Sequence, residues 1–118
     1  MDLRKATAAA IGRGLQAGAL DAVDVSEFFL ERIAAYSDPA VFTTVTSDRA
    51  REEARAAASR LKQGNSRGPL DGVPIAWKDL FDMADTVTSS GSALRRYGPA
   101  ANEDAAAVAH GVAAGMVA

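Results

Sequence analysis

The sequence contains no cysteine and only one histidine. Without cysteine the chain cannot form disulfides, zinc–thiolate sites or a thiol nucleophile. The single histidine, His110, lies in an alanine-rich stretch with no nucleophile or pair of carboxylates beside it. We therefore expect His110 to be a surface residue, and a histidine-based catalytic triad is not predicted.

Neither sign of charge is in large excess, and no long apolar run is present. Lys plus Arg number 13 and Asp plus Glu number 15, which gives a net charge of −2. A dedicated binder of nucleic acid or of an anionic membrane would carry a clear basic excess. The apolar-rich residues 6–20 fall short of the roughly 20 apolar residues of a membrane span, and no signal-peptide core follows the charged start. The expectation is a cytoplasmic protein with no membrane partner and no direct nucleic-acid partner.

Large apolar side chains are scarce, whereas alanine is abundant. Hydrophobic residues make up 48% of the 118 residues, but 27 of these hydrophobic residues are alanine. Burial of one large apolar side chain contributes about 1.5–3 kcal/mol, while alanine buries little area. Such a composition favours helices, but it supplies few large apolar side chains for the hydrophobic core of an independently folding domain.

Four helices are predicted from the spacing of apolar residues, over about 3–17, 22–36, 48–63 and from near Asn102 or Asp104 to 114. Asp21 is predicted to cap the second helix and Ser47 the third. The inner stripe of the second helix is predicted to be Val25, Phe28, Phe29, Ile33 and Tyr36. The inner stripe of the third helix is predicted to be Ala50, Ala54, Ala57, Ala58 and Leu61. Because the stripe of the third helix is narrow and small, we expect this helix to pack closely against something larger.

Short strands are predicted over residues 41–45, which are β-branched or aromatic, and over the apolar residues 73–77. Residues 115–118 are expected to turn into a further strand. Residues 82–101 are rich in threonine, serine and glycine without periodicity, and such a length is unusual for an idle connection.

Lys78 is the strongest candidate for chemistry, because it follows a run of five apolar residues at a predicted strand end. If that strand is central in a sheet, the ammonium is desolvated, which disfavours the charged form and makes a lysine usable as a base. The alternative is a salt bridge at the strand end, since Asp79 and Asp82 are near in sequence. Periodicity alone does not decide between the two.

Residues 86–92 form a second candidate, because hydroxyls beside glycine can build an anion-binding nest or supply a nucleophile. A polar loop that hydrogen-bonds to itself is the favoured alternative. The segment lacks the pattern of a P-loop and of a nucleophile elbow. Glu52 and Glu53, which lie among arginines, are expected to form a solvated helix face.

Residues 68–82 resemble a segment of the amidase signature family. Their sequence, Gly-Pro-Leu-Asp-Gly-Val-Pro-Ile-Ala-Trp-Lys-Asp-Leu-Phe-Asp, is similar to that family's Gly-Pro-Leu-x-Gly-[Ile/Val]-Pro-x-x-x-Lys-Asp. Residues 88–92 resemble its Thr-Thr-x-Gly-Ser, and Glu103-Asp104-Ala105 with the following helix also matches. The two N-terminal helices and the 41–45 strand fit as well, so the resemblance covers nearly the whole chain. The 68–82 motif is the specific part of it.

The resemblance implies an α/β fold in which helices cover a mixed β-sheet, and a carboxamide hydrolase with a Ser–cis-Ser–Lys triad. The motif lysine maps onto Lys78, which would draw a proton from the nucleophilic serine through the cis-serine before an acyl-enzyme forms. A small-molecule amide is the implied substrate, and no cofactor or metal is implied. The residues expected to support the lysine are Asp79, Thr88, Ser89, Ser90, Gly91 and Ser92.

The family's two triad serines lie in a Gly-Ser-Ser-Gly-rich segment that is not among these residues, so Ser89, Ser90 and Ser92 are not assigned to them. We therefore expect residues 1–118 to be an incomplete, N-terminal portion of one amidase domain. Residues 1–66 would form a helical part with one strand, and residues 67–118 would carry the lysine motif. Alone, such a chain is expected to be inactive.

Two alternatives remain open at this stage. The chain could be a non-catalytic remnant that pairs with another chain, as a homodimer or a partner subunit, through its sheet edge and alanine-rich helices. It could also be part of the A subunit of a tRNA-dependent amidotransferase, which shares this family. Size-exclusion chromatography tests the first alternative, and nothing in these residues selects the second.

Overall fold

The computed structural model describes residues 1–118 as a flattened, mostly helical structure with extents of 46 × 30 × 20 Å. It has four helices, α1 (Ala8–Gln16), α2 (Ala22–Ala35), α3 (Ser47–Lys62) and α4 (Ala106–Ala113). None of the four has the length and the apolar content that crossing a lipid bilayer would need. The four predicted helices are therefore confirmed, with shifts at their ends.

Helix α1 begins later than predicted because Thr7 caps it. The Thr7 hydroxyl accepts the Ala10 N–H at 3.1 Å, which satisfies one of the free amides of the first turn. Residues 3–5 form a turn instead of helix. Helix α2 matches its predicted range closely, and Asp21 caps it as predicted by accepting the Val23 N–H at 2.8 Å.

The capping prediction for α3 is wrong. Ser47 is the first helical residue, Thr46 holds the cap position, and no side chain caps this end. The small inner stripe of α3 is confirmed, since four of its alanines are buried: Ala50, Ala54, Ala57 and Ala58. Because these side chains are small, α3 packs closely, and its partner in this structure is α2.

Helix α4 begins at Ala106, after both predicted starts. Asp104 does not begin or cap α4, because its carboxylate binds Arg49 and accepts the Ala84 N–H. A side chain committed to these tertiary contacts cannot also cap the helix, and no side chain caps α4.

The predicted sheet is absent from residues 1–118. Only two isolated parallel bridges form, Pro74 with Val117 and Ala84 with Ala101. Val73, Ile75 and Val117 exchange backbone hydrogen bonds of 2.8–3.0 Å, so residues 73–77 and 115–118 begin a parallel pairing that continues no further. A strand needs a partner along its length, and these residues supply one short contact.

The strand prediction for residues 41–45 is also wrong. Their backbone joins no ladder, and the segment is fixed by side chains, with Phe42 half-buried and the Thr43 hydroxyl bonded to Asp79. β-Branched and aromatic residues favour strands only where neighbouring strands accept them. The mixed-sheet architecture is therefore incomplete in this chain.

The core is small and lies between α1, α2, α3 and the start of the 73–77 segment. Its largest cluster comprises Ile11, Leu15, Ala22, Val25, Ala57, Ala58 and Val73. The chain exposes 7451 Å², whereas a compact monomer of its mass exposes about 6,100 Å². Of the predicted α2 stripe only Val25 is buried, and Tyr36 is 58% exposed. The structure therefore leaves an apolar surface uncovered.

Candidate functional site

Lys78 lies directly after the 73–77 segment, where a tight turn begins. The Lys78 carbonyl accepts the N–H groups of Leu80 and Phe81 at 2.7 and 3.1 Å. The side chain is exposed, so the expected desolvation of its ammonium is not provided by residues 1–118. No hydrogen bond or ion pair reaches the Lys78 ammonium. The salt-bridge alternative of the sequence analysis is therefore absent.

The two carboxylates beside Lys78 are occupied elsewhere. Asp79 accepts the Ser89 N–H at 2.9 Å, a very short hydrogen bond from the Ser89 hydroxyl, and the Thr43 hydroxyl at 3.2 Å. Asp82 accepts the Thr88 hydroxyl at 2.6 Å. The hydrogen bonds from Ser89, aided by Thr43, hold the pKa of Asp79 below its usual value despite some burial. Asp79 therefore stays ionised near neutral pH without a cationic partner.

Of the residues predicted to support the lysine, Asp79 lies in the Lys78 turn and residues 88–92 form one loop, whose first half the structure brings to that turn. Thr88 and Ser89 contact the turn through the carboxylates just described. Ser90 and Gly91 adopt left-handed backbone with φ of +52° and +72°, and the Ser92 N–H donates to the Ser89 carbonyl at 2.9 Å. Ser90 and Gly91 are exposed. The loop is thus tied to the turn that carries Lys78 and does not only bond to itself.

A polar cleft of about 460 Å³ opens beside this junction. Asp79, residues of the loop and residues of the 41–45 segment all line it. Its polar lining consists of Thr43, Thr44, Asp79, Ser89, Ser92 and Arg96. Arg96 makes no ion pair and lies 5.9 Å from the Tyr97 ring centroid. The sequence analysis missed Thr43 and Arg96, because nothing local in the sequence places residues 36 positions apart at one cleft.

A buried ion pair joins the 68–82 motif to α3. The Asp71 carboxylate is fully buried and accepts Arg60 Nη2 at 2.6 Å, Arg60 Nε at 3.1 Å and the Arg67 N–H at 2.9 Å. Burial opposes ionisation of Asp71, but the hydrogen bonds from Arg60 and Arg67 outweigh it and lower its pKa. The sequence analysis did not single out this pair, although an aspartate amid apolar motif residues is a signal for it.

A second ion cluster joins the segment before α4 to α3. Arg49 binds both Asp104 oxygens at 2.8 Å and Glu53 at 2.8 Å. Glu53 also accepts the Ala118 N–H at 2.7 Å. The Arg49 guanidinium lowers the pKa of Asp104. The predicted solvated face is therefore wrong for Glu53, whereas Glu52 is exposed as predicted.

His110 is exposed, as predicted. Trp77, next to Lys78, packs edge-on against Phe81 with ring centroids 5.5 Å apart, and its indole nitrogen is buried without a partner. No three His, Asp or Glu side chains lie close enough together to hold one metal ion.

An apolar groove of about 510 Å³ runs between α1, α2 and the 73–77 segment. Its walls include Ile11, Phe29, Ile33, Phe42 and Ile75. Ile11 is buried, whereas the other four side chains are partly exposed, so residues 1–118 leave this groove only partly covered. Pro74, which forms the short parallel pairing, also lines the groove.

Comparison with known proteins identifies the class. Residues 24–118 match the family described as Amidase. The chain belongs to the amidase signature family.

Among the relatives, the protein named "Putative amidase AmiB2" from Mycobacterium tuberculosis is 49% identical over 117 residues, which are 98% of this chain and 25% of that protein. The A subunit of the glutamyl-tRNA(Gln) amidotransferase of Thermobifida fusca is 37% identical over 94 residues, which are 79% of this chain and 19% of that protein. The chain thus spans about a quarter, or less, of the length of these curated relatives.

Solved structures share this fold over about a quarter of their own length. The peptide amidase of Stenotrophomonas maltophilia has a TM-score of 0.79 at 28% identity, covering 98% of this chain and 24% of that one. A chain from a vestigial protein complex, described as revealing the origins of an s-triazine catabolic enzyme, has a TM-score of 0.82 at 38% identity, with coverage of 91% and 24%. The residues described here therefore form a partial amidase fold.

Proposed function

We propose that this chain is the lysine-bearing part of an amidase that hydrolyses the carbon–nitrogen bond of small carboxamides. Lys78 acts as the base of a Ser–cis-Ser–Lys triad whose two serines come from a further part of the same domain. Residues 1–66 and 67–118 would then be two parts of one incomplete domain. Family membership supports the reaction class, and the arrangement around Lys78 supports its role.

The observation that carries the proposal is the unpaired Lys78 ammonium, which is followed in sequence by two aspartates whose carboxylates bind other groups. A lysine serves as a base only when uncharged, and a carboxylate bound to its ammonium would favour the charged form. Asp79 and Asp82 instead bind the hydroxyls of Ser89 and Thr88. The lysine is therefore left free for a proton acceptor or donor of the missing part.

The uncovered surface supports the second element of the proposal. The apolar groove and the short parallel pairing are features that a sheet of further strands would cover. Such a sheet would also exclude water from the Lys78 side chain, which is exposed in residues 1–118. Desolvation of the lysine would then arise on completion of the domain.

The first experiment asks what the chain does alone. The purified 118-residue chain is incubated with simple linear amides, and ammonia release is measured. We expect no turnover, because one of the three triad residues is present. Turnover that disappears in Lys78→Ala would contradict the proposal, since it would mean that these residues catalyse without the two serines.

The second experiment tests Lys78 in a complete domain. Residues 2–118 replace the matching quarter of the M. tuberculosis AmiB2 protein, and ammonia release is compared between variants. Loss of a general base lowers the rate about 10²- to 10⁴-fold, which is the expectation for Lys78→Ala. Lys62→Ala, at the exposed end of α3, is the matched control and should leave the rate unchanged. Activity of Lys78→Ala within about twofold of the parent graft would refute the role of Lys78.

A second candidate is part of the A subunit of an amidotransferase, which the identity to the T. fusca protein favours. A third is a non-catalytic chain that pairs with a partner, which the likeness to the chain from a vestigial complex favours. Free amide hydrolysis by the graft with no other protein added supports the amidase. A stable heteromeric or homodimeric species of the 118-residue chain in size-exclusion chromatography supports the pairing chain.

A further inference from the structure

Asp79 joins three segments that are distant in sequence. Its carboxylate receives the Thr43 hydroxyl from the 41–45 segment and both the N–H and the hydroxyl of Ser89 from the loop. Asp79 itself lies in the turn that follows Lys78. Since an ionised carboxylate accepts hydrogen bonds more strongly than a neutral group does, this one residue is the main polar link among the three segments.

Asp82 adds a second link from the same turn. Its carboxylate accepts the Thr88 hydroxyl at 2.6 Å, next to the residue that Asp79 holds. Between the two aspartates the chain folds back tightly, with Leu80 and Phe81 donating to the Lys78 carbonyl. Asp79, Asp82, Thr88 and Ser89 therefore form a carboxylate clamp around the backbone of the lysine turn.

The clamped loop has a backbone that needs such support. Immediately after Ser89, Ser90 has a φ of +52°, a conformation that is uncommon for a residue with a side chain. Gly91 continues in the same region with φ of +72°. Ser90 and Gly91 are exposed, so packing does not hold this shape. Hydrogen bonds at Ser89 are what fix the start of this turn.

The geometry points to Asp79 as a positioning residue for the reaction proposed above, on which this inference rests. Asp79 fastens loop 88–92 and Thr43 to the turn and so fixes the backbone from which the Lys78 side chain extends. Asp79 does not act on Lys78 by charge pairing, because its oxygens are occupied by Ser89 and Thr43. It acts by holding the polar cleft and the lysine in one arrangement.

Amide hydrogen exchange on the 118-residue chain, followed by NMR at neutral pH, tests the clamp directly. In the parent chain the Ser89 amide is expected to be protected. Asp79→Asn should speed its exchange roughly ten- to hundredfold, the loss expected for a hydrogen bond to a charged acceptor. Asp85→Asn, at an exposed aspartate of the same region with no hydrogen-bonded carboxylate, is the matched control and should change nothing.

Amides within α3 serve as the internal reference, and they should keep their protection in Asp79→Asn. An unprotected Ser89 amide in the parent chain, or unchanged protection in Asp79→Asn, would overturn the clamp. Loss of protection throughout α3 as well would assign Asp79 to the global fold and would also overturn it.

The effect on catalysis is measured in the AmiB2 graft. Misplacement of a catalytic group lowers kcat, so Asp79→Asn should reduce kcat roughly ten- to hundredfold with little change in KM. Ser89→Ala should have a smaller effect of the same kind, and the double variant should be less impaired than the product of both. A rise in KM with unchanged kcat would overturn the positioning role. If Lys78→Ala remained active, the proposed function would fail, whereas the exchange experiment would still decide the clamp.

Discussion

Replacing Asp71 by asparagine removes one charge from the buried ion pair beneath the lysine motif. Asp71 is fully buried and receives three hydrogen bonds, two from Arg60 and one from the Arg67 amide. Asparagine has nearly the same shape, so the change preserves the packing, but it removes the charge and replaces one accepting oxygen by an N–H donor that faces a donor of Arg60 or Arg67. Arg60 then keeps its charge but loses its ionic partner.

The magnitude follows from how buried each partner is. Removal of one member of a buried ion pair costs about 3–5 kcal/mol, because the remaining charge is left uncompensated. The Arg60 side chain is 20% exposed and can recover some hydration. We therefore expect the lower end, about 3 kcal/mol. With a typical stability of about 6–18 kcal/mol for this length, and a core this small, that loss is a large part of the total.

The assay is urea unfolding of the 118-residue chain, followed by far-UV circular dichroism, for the parent and Asp71→Asn. The pKa of Asp71 is lower in the folded than in the unfolded chain, where it is about 3.9. Its stabilising contribution is therefore complete above that unfolded value and is lost as the pH falls through the lower folded pKa. The parent should consequently approach Asp71→Asn in stability under acidic conditions.

Asp85→Asn is again the matched control, since this aspartate is exposed and its carboxylate bonds to nothing. Its free energy of unfolding should stay within about 0.5 kcal/mol of the parent. Equal stability of Asp71→Asn and the parent at neutral pH would refute the reasoning. So would an equal loss in the Asp85→Asn control, because burial of the pair would then not be the cause.

Two predictions concern glycines that allow close packing, both read from urea unfolding. Gly12→Ala places a Cβ atom on the Pro69 carbonyl oxygen, which is backbone and cannot yield, so a loss of about 2 kcal/mol or more is expected despite the better helix propensity. Gly14→Ala, in the same helix, meets only the Leu20 side chain, with Cδ1 at 2.7 Å and Cγ at 3.0 Å. A side chain can shift, so Gly14→Ala should cost less, and equal losses would contradict the packing argument. Gly111→Ala brings a Cβ to 2.9 Å from the Trp77 ring. We expect the free energy of unfolding to fall by about 1–3 kcal/mol and the fluorescence of this single tryptophan to shift. An unshifted spectrum and unchanged stability would exclude that contact.

The helices could be predicted from the sequence because their signals are local. Asp21 caps α2 with its own neighbours, and the alanine stripe of α3 follows from a 3.6-residue period. Prediction from local sequence failed where a side chain has a partner that is distant in the sequence. Asp104 binds Arg49, 55 residues away, and so lies outside α4, although its local sequence suits a helix start.

The strands could not be predicted in the same way. Residues 41–45 have strong β-propensity, but a strand exists only when another strand accepts its backbone groups. Residues 73–77 find such a partner for a short stretch beside Val117, and residues 41–45 find none.

By itself, the sequence determined the family, through the 68–82 motif, and it determined the helices and the position of Lys78 at the end of an apolar run. Only the tertiary structure decided what surrounds that lysine. Local sequence placed Asp79 and Asp82 beside Lys78 and allowed a salt bridge, but the fold turned both carboxylates to Ser89 and Thr88. The physical reason is that a carboxylate binds the donors that the folded chain brings to it, and those donors lie in a loop whose approach no local pattern encodes.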